Sequence, residues 1–508
     1  MPAMPRSRNA WLALGALAAI VAAAVLLRFV DLAANPGGLY GDEAAEGLDA
    51  ARLLHQPGFH ADFLVWFPDD GGREALFAYV VAAAFQLFGQ SVLVLRATAA
   101  AFGVAGVLGI GAVGRRFGTW TGVVAAAWAA GSLWLVCVDR DGMRNAIVPL
   151  FGAVAFIALL HWAARPGRAA AILAGAVTSL AALYTYQPLK LLPVLVVVWL
   201  LWLRRADRVH YDELRAGAVP FAAAFLAVAA PMIAVAVTEP ANYFGRAAAT
   251  SAFNPTVEAD SNPLIHALRT VAMFGLAGDQ NPRHDVAALP LVPLPLSVVA
   301  GFGLVRLWRM RRDPSHSLVL LALPVFLAAP LVATEGGSPH ALRALGLAAP
   351  LGVVIGLGAV ELVEQVRGRW EREAEILAVA TVAVTLTAVA GWSGWAYLTR
   401  PIADRYAAYS YPIVSLARLA AGQPGSALPG TAVVLDDYSA MDVDFLDFDR
   451  PPTVFAPGIR ISDPTAYSQT LALDRADLSK ALGPELGGRA VAVAWDTSGA
   501  PSVWAVTP

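Results

Sequence analysis

The chain has 508 residues, of which 58% are hydrophobic and only 15% charged, with mean hydropathy +0.59. Soluble domains carry about 25% charged residues, so an ordinary soluble enzyme is excluded. The formal net charge of −2 gives no basic field for nucleic acid. The single cysteine, Cys137, excludes a disulfide framework or a thiolate metal site within one chain.

Arg6 and Arg8 precede an apolar run from Trp11 to Val30. That run is longer than the core of a signal peptide, and further apolar runs follow, so it reads as a retained first membrane helix. A span needs about 20 mostly apolar residues. The segments that qualify are 11–30, 92–113, 119–138, 145–163, 169–186, 189–203, 216–238, 290–308, 317–334, 343–363 and 374–396, about eleven crossings. The expected fold is therefore mainly α, a polytopic helical bundle over residues 1–399.

Positive charge marks the cytoplasmic side. With the N-terminus inside, Arg115/Arg116, Arg165/Arg168, Arg204/Arg205/Arg208, the run Arg306 to Arg312 and Arg367/Arg369/Arg372 all fall inside. Loops 31–91, 139–144, 184–190, 239–289 and 335–342 then face outward. The assignment requires that the apolar stretch Ala75–Phe88, about 14 residues, lie at the interface rather than cross. Beyond residue 400 the long apolar runs stop. Strand-like pieces at Thr431–Leu435, Thr453–Phe455 and Ala490–Trp495, with Asp and Pro-Gly turns between them, predict a small α/β domain over 400–508 outside the membrane.

Five outward loops carry ionisable groups. The first contains Gly41-Asp42-Glu43, followed by Glu46 and Asp49. Asp42 can cap the helix that follows, and solvation of one helix face accounts for Glu46 and Asp49. Further along, Pro68-Asp-Asp-Gly-Gly leads into Arg73-Glu74, a possible interfacial ion pair, and Arg96 lies just inside the next span, where it must pair, snorkel or face a cavity. Next comes Asp139-Arg140-Asp141-Gly-Met-Arg144. Arginines on the outer side run against the charge bias, so either the neighbouring aspartates or an anion such as a lipid phosphate holds Arg140 and Arg144. Tyr184-Thr-Tyr186 precedes Lys190, one of two lysines in the chain. The long loop 239–289 includes Asp279, Asn281, Arg283, His284 and Asp285. Asp279, His284 and Asp285 are a possible metal set, although their spacing matches no standard one. Finally, Glu335 precedes His340 and Arg343, which share a helix face at i, i+3. Together these loops point to one outward polar cavity with an acid as base and cations for a lipid-borne phosphate.

In the order of these motifs the chain resembles the GT-C superfamily of glycosyltransferases over roughly residues 11–400. The similarity is to the branch of families 39 and 83, with the protein O-mannosyltransferases and the lipid A aminoarabinose transferase. It is carried by Asp42-Glu43, the start Arg73-Glu74-Ala-Leu-Phe-Ala-Tyr79, Leu95-Arg96, Gly114-Arg-Arg-Phe-Gly118, Asp139-Arg140 with Arg144 and Pro149-Leu150-Phe151, and Pro339-His340 with Arg343. The chain departs from many relatives at Arg73-Glu74-Ala75, where they have Pro-Pro or Lys-Pro.

The resemblance implies an inverting hexosyl- or pentosyltransferase in a bacterial inner membrane. Its donor would be a polyprenyl-phosphate sugar, and its acceptor a lipid, glycan or protein on the outer face. Among its surroundings would be membrane lipids and no nucleic acid. By this reading Asp42 is the general base, with Glu43 its neighbour. Arg140, Arg144, Lys190 and Arg343 would bind the donor phosphate. Arg73, Glu74, Arg96, Asp139 and Tyr186 would contact substrate, as would Asp279, Asn281, Arg283, His284 and His340. The resemblance names no cofactor, and a divalent cation stays open. Two other classes remain at this stage: a lipid or saccharide transporter, for which no internal repeat is visible, and a noncatalytic assembly protein.

Overall fold

The computed structural model describes residues 6–58, 65–67, 72–249, 262–332, 338–421, 430–448 and 451–507. Residues 68–71 of the first outward loop, 250–261 of the long loop, and Glu335 lie outside the described residues. The chain forms two compact units. One comprises residues 1–30, 63–77 and 97–399, and the other 31–62, 78–96 and 400–508.

The first unit is a helical bundle. Seven helices among the described residues are long and apolar enough to cross a membrane. An eighth span results if Thr119–Gly131 and Leu133–Arg140, bent 58° at Ser132, count as one. The other three expected spans form shorter helices, Arg168–Leu183, Leu192–Ala206 and Leu294–Arg309, of 16, 15 and 16 residues. At 1.5 Å per residue each is about 24 Å long, less than the hydrocarbon thickness of about 30 Å. Leu76–Phe88 has 13 residues and is shorter still.

Two packing features place this unit in lipid. Helices Ala218–Thr238 and Arg372–Thr399 turn most of their apolar surface outward, including Val219, Leu226, Ile376, Leu377 and Trp395. Apolar faces of that extent are tolerated only against lipid or a partner. The interior is filled by large rings, with Trp128, Trp134, Trp162 and Trp199 all fully buried. Helices Leu294–Arg309 and Ala348–Arg367 meet at Gly303 and Gly358, where an added Cβ would collide with the carbonyls of Val354 and Val299. Small residues at such crossings let backbones approach and gain dispersion contacts, which drive helix association in lipid.

The break at Ser132 leaves helix-end carbonyls without partners. Arg28 supplies them: Nη1 donates to Ala130 O at 3.1 Å and Nη2 to Ala129 O at 3.2 Å, while Nε donates to Asp139 at 2.7 Å. Arg140 does the same for the first helix, donating to Leu27 O at 2.9 Å and Val30 O at 2.8 Å, and it stacks over Tyr397. Both arginines are fully buried at helix C-termini, where the macrodipole favours a cation. The arginine of the Asp139-Arg140 motif that runs against the charge bias thus has an intramolecular reason to be there.

In the second unit, residues after 430 form a five-stranded sheet. Its strands are β3 (Ala432–Val434), β4 (Thr453–Phe455), β5 (Thr470–Ala472), β6 (Val491–Trp495) and β7 (Pro501–Val506), in the order β4-β3-β5-β7-β6. β3 pairs in parallel with β4 and β5, and β7 runs antiparallel to β5 and β6. The first unit adds a short antiparallel ribbon of β1 (Trp66–Phe67) and β2 (Arg73–Glu74). Three of the strands coincide with the sequence expectation. β5 and β7 escaped it, and β7 begins at a proline.

Candidate functional site

In the second unit the acidic motif opens the helix Gly41–His55. The cap position falls to Tyr40, and Glu43 rather than Asp42 accepts the Tyr40 backbone N–H, at 3.1 Å. Arg96 grips Glu43 in a fork, with Nε to Oε1 at 2.8 Å and Nη2 to Oε2 at 2.8 Å. The same guanidinium donates to the carbonyls of Gly37 and Gly38. A bidentate pair of this kind, fully buried, fixes the entry to the helix. Asp42 accepts instead from the Tyr438 hydroxyl, Oη to Oδ1 at 2.8 Å.

Tyr438 lies on the helix Asp437–Leu446, which packs along the acidic helix. Glycines permit the approach: an added Cβ at Gly41 would meet the Tyr438 ring, and one at Gly47 the Phe445 ring. Burial overturns the expectation of a solvated face, since Glu46 and Asp49 are each only 1% exposed. Asp442, also 1% exposed, has both carboxylate oxygens buried. Burial first, and then the charge of Glu43, push its carboxyl up to about 8. Sequence reasoning missed Tyr438 and Asp442, because nothing local connects them to a motif nearly 400 residues earlier.

In the first unit, Glu74 of β2 is the centre of a cationic cluster. Its carboxylate pairs with Lys190 at 3.0 Å and Arg144 at 3.2 Å. Burial raises the Glu74 carboxyl, but Lys190 and then Arg144 outweigh it and hold it below the ordinary range. Arg144 and Lys190 arise from two short 3-10 turns, Arg144–Ile147 and Gln187–Leu191, each interposed before a membrane helix. Aromatic rings complete the cluster. Arg144 sits 5.5 Å from the centre of the Tyr186 ring, and Lys190 lies 5.6 Å from Trp66 and 5.4 Å from Tyr243. Arg343 donates to the Gln187 side chain at 3.0 Å, which brings the segment after His340 to the same turn. Lys190 remains 31% exposed, so the cluster has an accessible positive group. Three loops named from the sequence thus meet here, and the structure adds Trp66, Tyr243 and Gln187. Glu74 pairs with Lys190 and Arg144, and Arg73 lies buried in β2 beside it.

A third grouping joins the long loop to the residue before the 3-10 helix Ala341–Leu347. His284 Nδ1 lies 2.9 Å from Asp279 Oδ2, which also accepts from Ala341 N at 2.8 Å. The rings of His284 and His340 are 4.8 Å apart. One ligand atom from each of Asp279, His284 and His340 lies within 4.8 Å of the others, and all three residues are buried. Asp285, the third member expected from the sequence, is replaced by His340. Asn281 shapes the turn, its side chain accepting from Arg283 N at 3.1 Å. Burial lowers both histidines. For His340 the positive surroundings of His284, Arg343 and Arg283 deepen the effect, whereas for His284 the Asp279 carboxylate opposes it.

The fold is shared with two solved membrane proteins, ArnT and an archaeal oligosaccharyltransferase. The chain superposes over 97% of its length on 98% of the apo crystal structure of ArnT from Cupriavidus metallidurans, with TM-score 0.63 and 16% identity. The undecaprenyl-phosphate complex of that protein gives TM-score 0.58 and 15% identity, with the same coverage. The apo oligosaccharyltransferase of Archaeoglobus fulgidus is similar over 93% of this chain and 71% of its own, with TM-score 0.55 and 12% identity. No protein-family model and no curated protein sequence matches the chain.

Proposed function

We propose that the chain is a membrane glycosyltransferase. It moves a sugar from a polyprenyl-phosphate carrier to an acceptor on the outer face of the membrane, with Asp42 as general base. The observation that carries this reading is the cluster of Lys190 and Arg144 about Glu74, set in a fold shared with ArnT, a protein crystallised with undecaprenyl phosphate. Among the described residues two cations meet one carboxylate, which gives the group a net positive charge. That charge suits a phosphate whose negative charge grows as its bond to the sugar breaks. Arg343, bonded through Gln187 to the turn that bears Lys190, adds a third cation. Arg140 is left out of this role, since its guanidinium serves the end of the first helix.

In the reaction, Asp42 takes the proton of an acceptor hydroxyl. The freed oxygen lone pair attacks the anomeric carbon, and the bond from that carbon to the phosphate oxygen breaks with its electrons. Attack opposite the leaving group inverts the centre. Asp42 suits the role better than Glu43, because both oxygens of Glu43 are held by Arg96. The chain would sit in a bacterial inner membrane with its N-terminus inside.

The test is transfer of labelled sugar from a panel of purified polyprenyl-phosphate sugars to cell-envelope extract. Native protein should label one fraction, and Asp42→Asn at equal expression should not. Full transfer by Asp42→Asn would remove Asp42 as base. Absence of transfer by native protein with every donor would set the reading aside.

A further inference from the structure

We propose that Asp279, His284 and His340 bind a divalent transition-metal ion of the zinc class, which clamps the outer loop 278–289 to the segment that carries Arg343. The three ligand atoms lie within 4.8 Å of one another on buried residues. Two imidazoles and a carboxylate are the donor set that zinc prefers, with one position left for water or substrate.

Two further observations point to a ligand. His340 Nδ1 is buried and has no hydrogen-bond partner among the described residues. A buried imidazole nitrogen is rarely left so, because its desolvation goes uncompensated. The surrounding contacts also hold the carboxylate in place. Asp279 Oδ1 accepts from Asn281 N at 2.8 Å and Oδ2 from Ala341 N at 2.8 Å, so its orientation is fixed from both sides. Metal-ligating groups are characteristically steadied by such outer bonds. The loop is itself closed: Gly278 N donates to Ala288 O at 2.8 Å, and a side chain at Gly278 would collide with Asp285. Asp279 and His284 alone would make an ordinary hydrogen-bonded pair. It is His340, about sixty residues later, that makes the cluster a ligand set.

The ion would reinforce the Ala341–Asp279 hydrogen bond in tying together two segments about sixty residues apart in the chain. Arg343 follows His340 by three residues in the same buried stretch, so the ion would help to set that guanidinium. This last link rests on the proposed role of Arg343 in phosphate binding. The ion itself does not.

The experiment uses the full chain with a tag free of histidine, grown with added zinc and purified in detergent. Native protein should carry about one zinc per chain by elemental analysis. His340→Ala and Asp279→Asn should fall below about a tenth of that. His340→Cys, which keeps a ligand, should retain metal, and so should His210→Ala as a control. After chelation, cobalt(II) should restore the visible bands of a four-coordinate site, and trypsin should cut at Arg283 faster in the stripped protein than in the loaded one. Native protein without metal and without a cobalt spectrum would overturn the proposal, leaving a metal-free Asp–His pair. So would full occupancy in His340→Ala. If His340→Ala cannot be recovered folded, the cobalt spectrum of native protein and His340→Cys decide. None of these readouts involves sugar transfer, so failure of the transferase reading would be seen separately.

Discussion

Neighbouring acids at Asp42 and Glu43 invite a direct comparison of Asp42→Asn with Glu43→Gln. Glu43 is fully buried, accepts two N–H bonds of 2.8 Å from Arg96 and a third of 3.1 Å from the Tyr40 backbone. The Glu43→Gln change leaves the Arg96 guanidinium, itself 1% exposed, without its counter-charge. Breaking one side of a buried pair costs about 3–5 kcal/mol, and a glutamine that keeps one bond brings the expectation to roughly 2–4 kcal/mol. In a unit of this size that corresponds to an apparent Tm lower by about 5–15 °C. Asp42 loses only the difference between an amide and a carboxylate as acceptor for Tyr438, about 1 kcal/mol. Thermal unfolding of both purified variants, followed by tryptophan fluorescence, reads the difference. The double variant Glu43→Gln/Arg96→Met should recover much of the loss. Transfer should behave oppositely: measured at a temperature where it is folded, Glu43→Gln stays active, and Asp42→Asn does not. A Glu43→Gln protein as stable as native but inactive would refute the division of roles. Additive effects of Glu43→Gln and Arg96→Met would refute the coupling.

Three further outcomes follow from the geometry. Lys190→Ala should reduce transfer about 100-fold with little loss of stability, since Lys190 is part-exposed while the phosphate loses a donor; a rate near native would remove it from the site. Glu74→Gln should instead destabilise by about 3 kcal/mol, because buried Arg144 loses its counter-charge, and unfolding of the two variants side by side separates these effects. The Asp442 carboxyl titrates near 8 in the fold and about 3.9 in an unfolded chain. The folded state therefore holds more protons between those values, and stability falls as pH rises through that window. Asp442→Asn should be more stable than native at pH 8, with the gap closing towards pH 4; a gap independent of pH would contradict the assignment.

Much of the bundle was legible in the sequence because it rests on local properties. Apolar runs, arginine-rich turns and Pro or Gly punctuation are readable within windows of about twenty residues, and each expected span contains a helix. What length alone overestimated was reach. Segments 169–186, 189–203 and 290–308 looked long enough, yet Arg168–Leu183 ends before the Tyr184–Leu191 turn, Leu192–Ala206 starts only after it, and Leu294–Arg309 starts within the proline-rich stretch at 290–295. The charged loops between apolar runs also announced most of the ionisable residues of the candidate site.

Partnership was another matter, and there only the tertiary structure decided. Arg28 meets Asp139 across 111 positions, Glu43 meets Arg96 across 53, and Asp42 meets Tyr438 across 396. The acids read as a solvated face, Glu46 and Asp49, are buried because Gly41 and Gly47 admit a second helix against them. Similarly, His340 joined Asp279 and His284 in place of Asp285, which is nearer in sequence. Hydropathy and charge act through each residue's own transfer from water and are written locally. A buried charge must also find an opposite charge or a hydrogen-bond partner, and the fold supplies whichever group it brings close. The sequence by itself therefore determined which segments leave water and which loops carry charge. Which charges neutralise one another, and which remain to meet a substrate, depended on the packing.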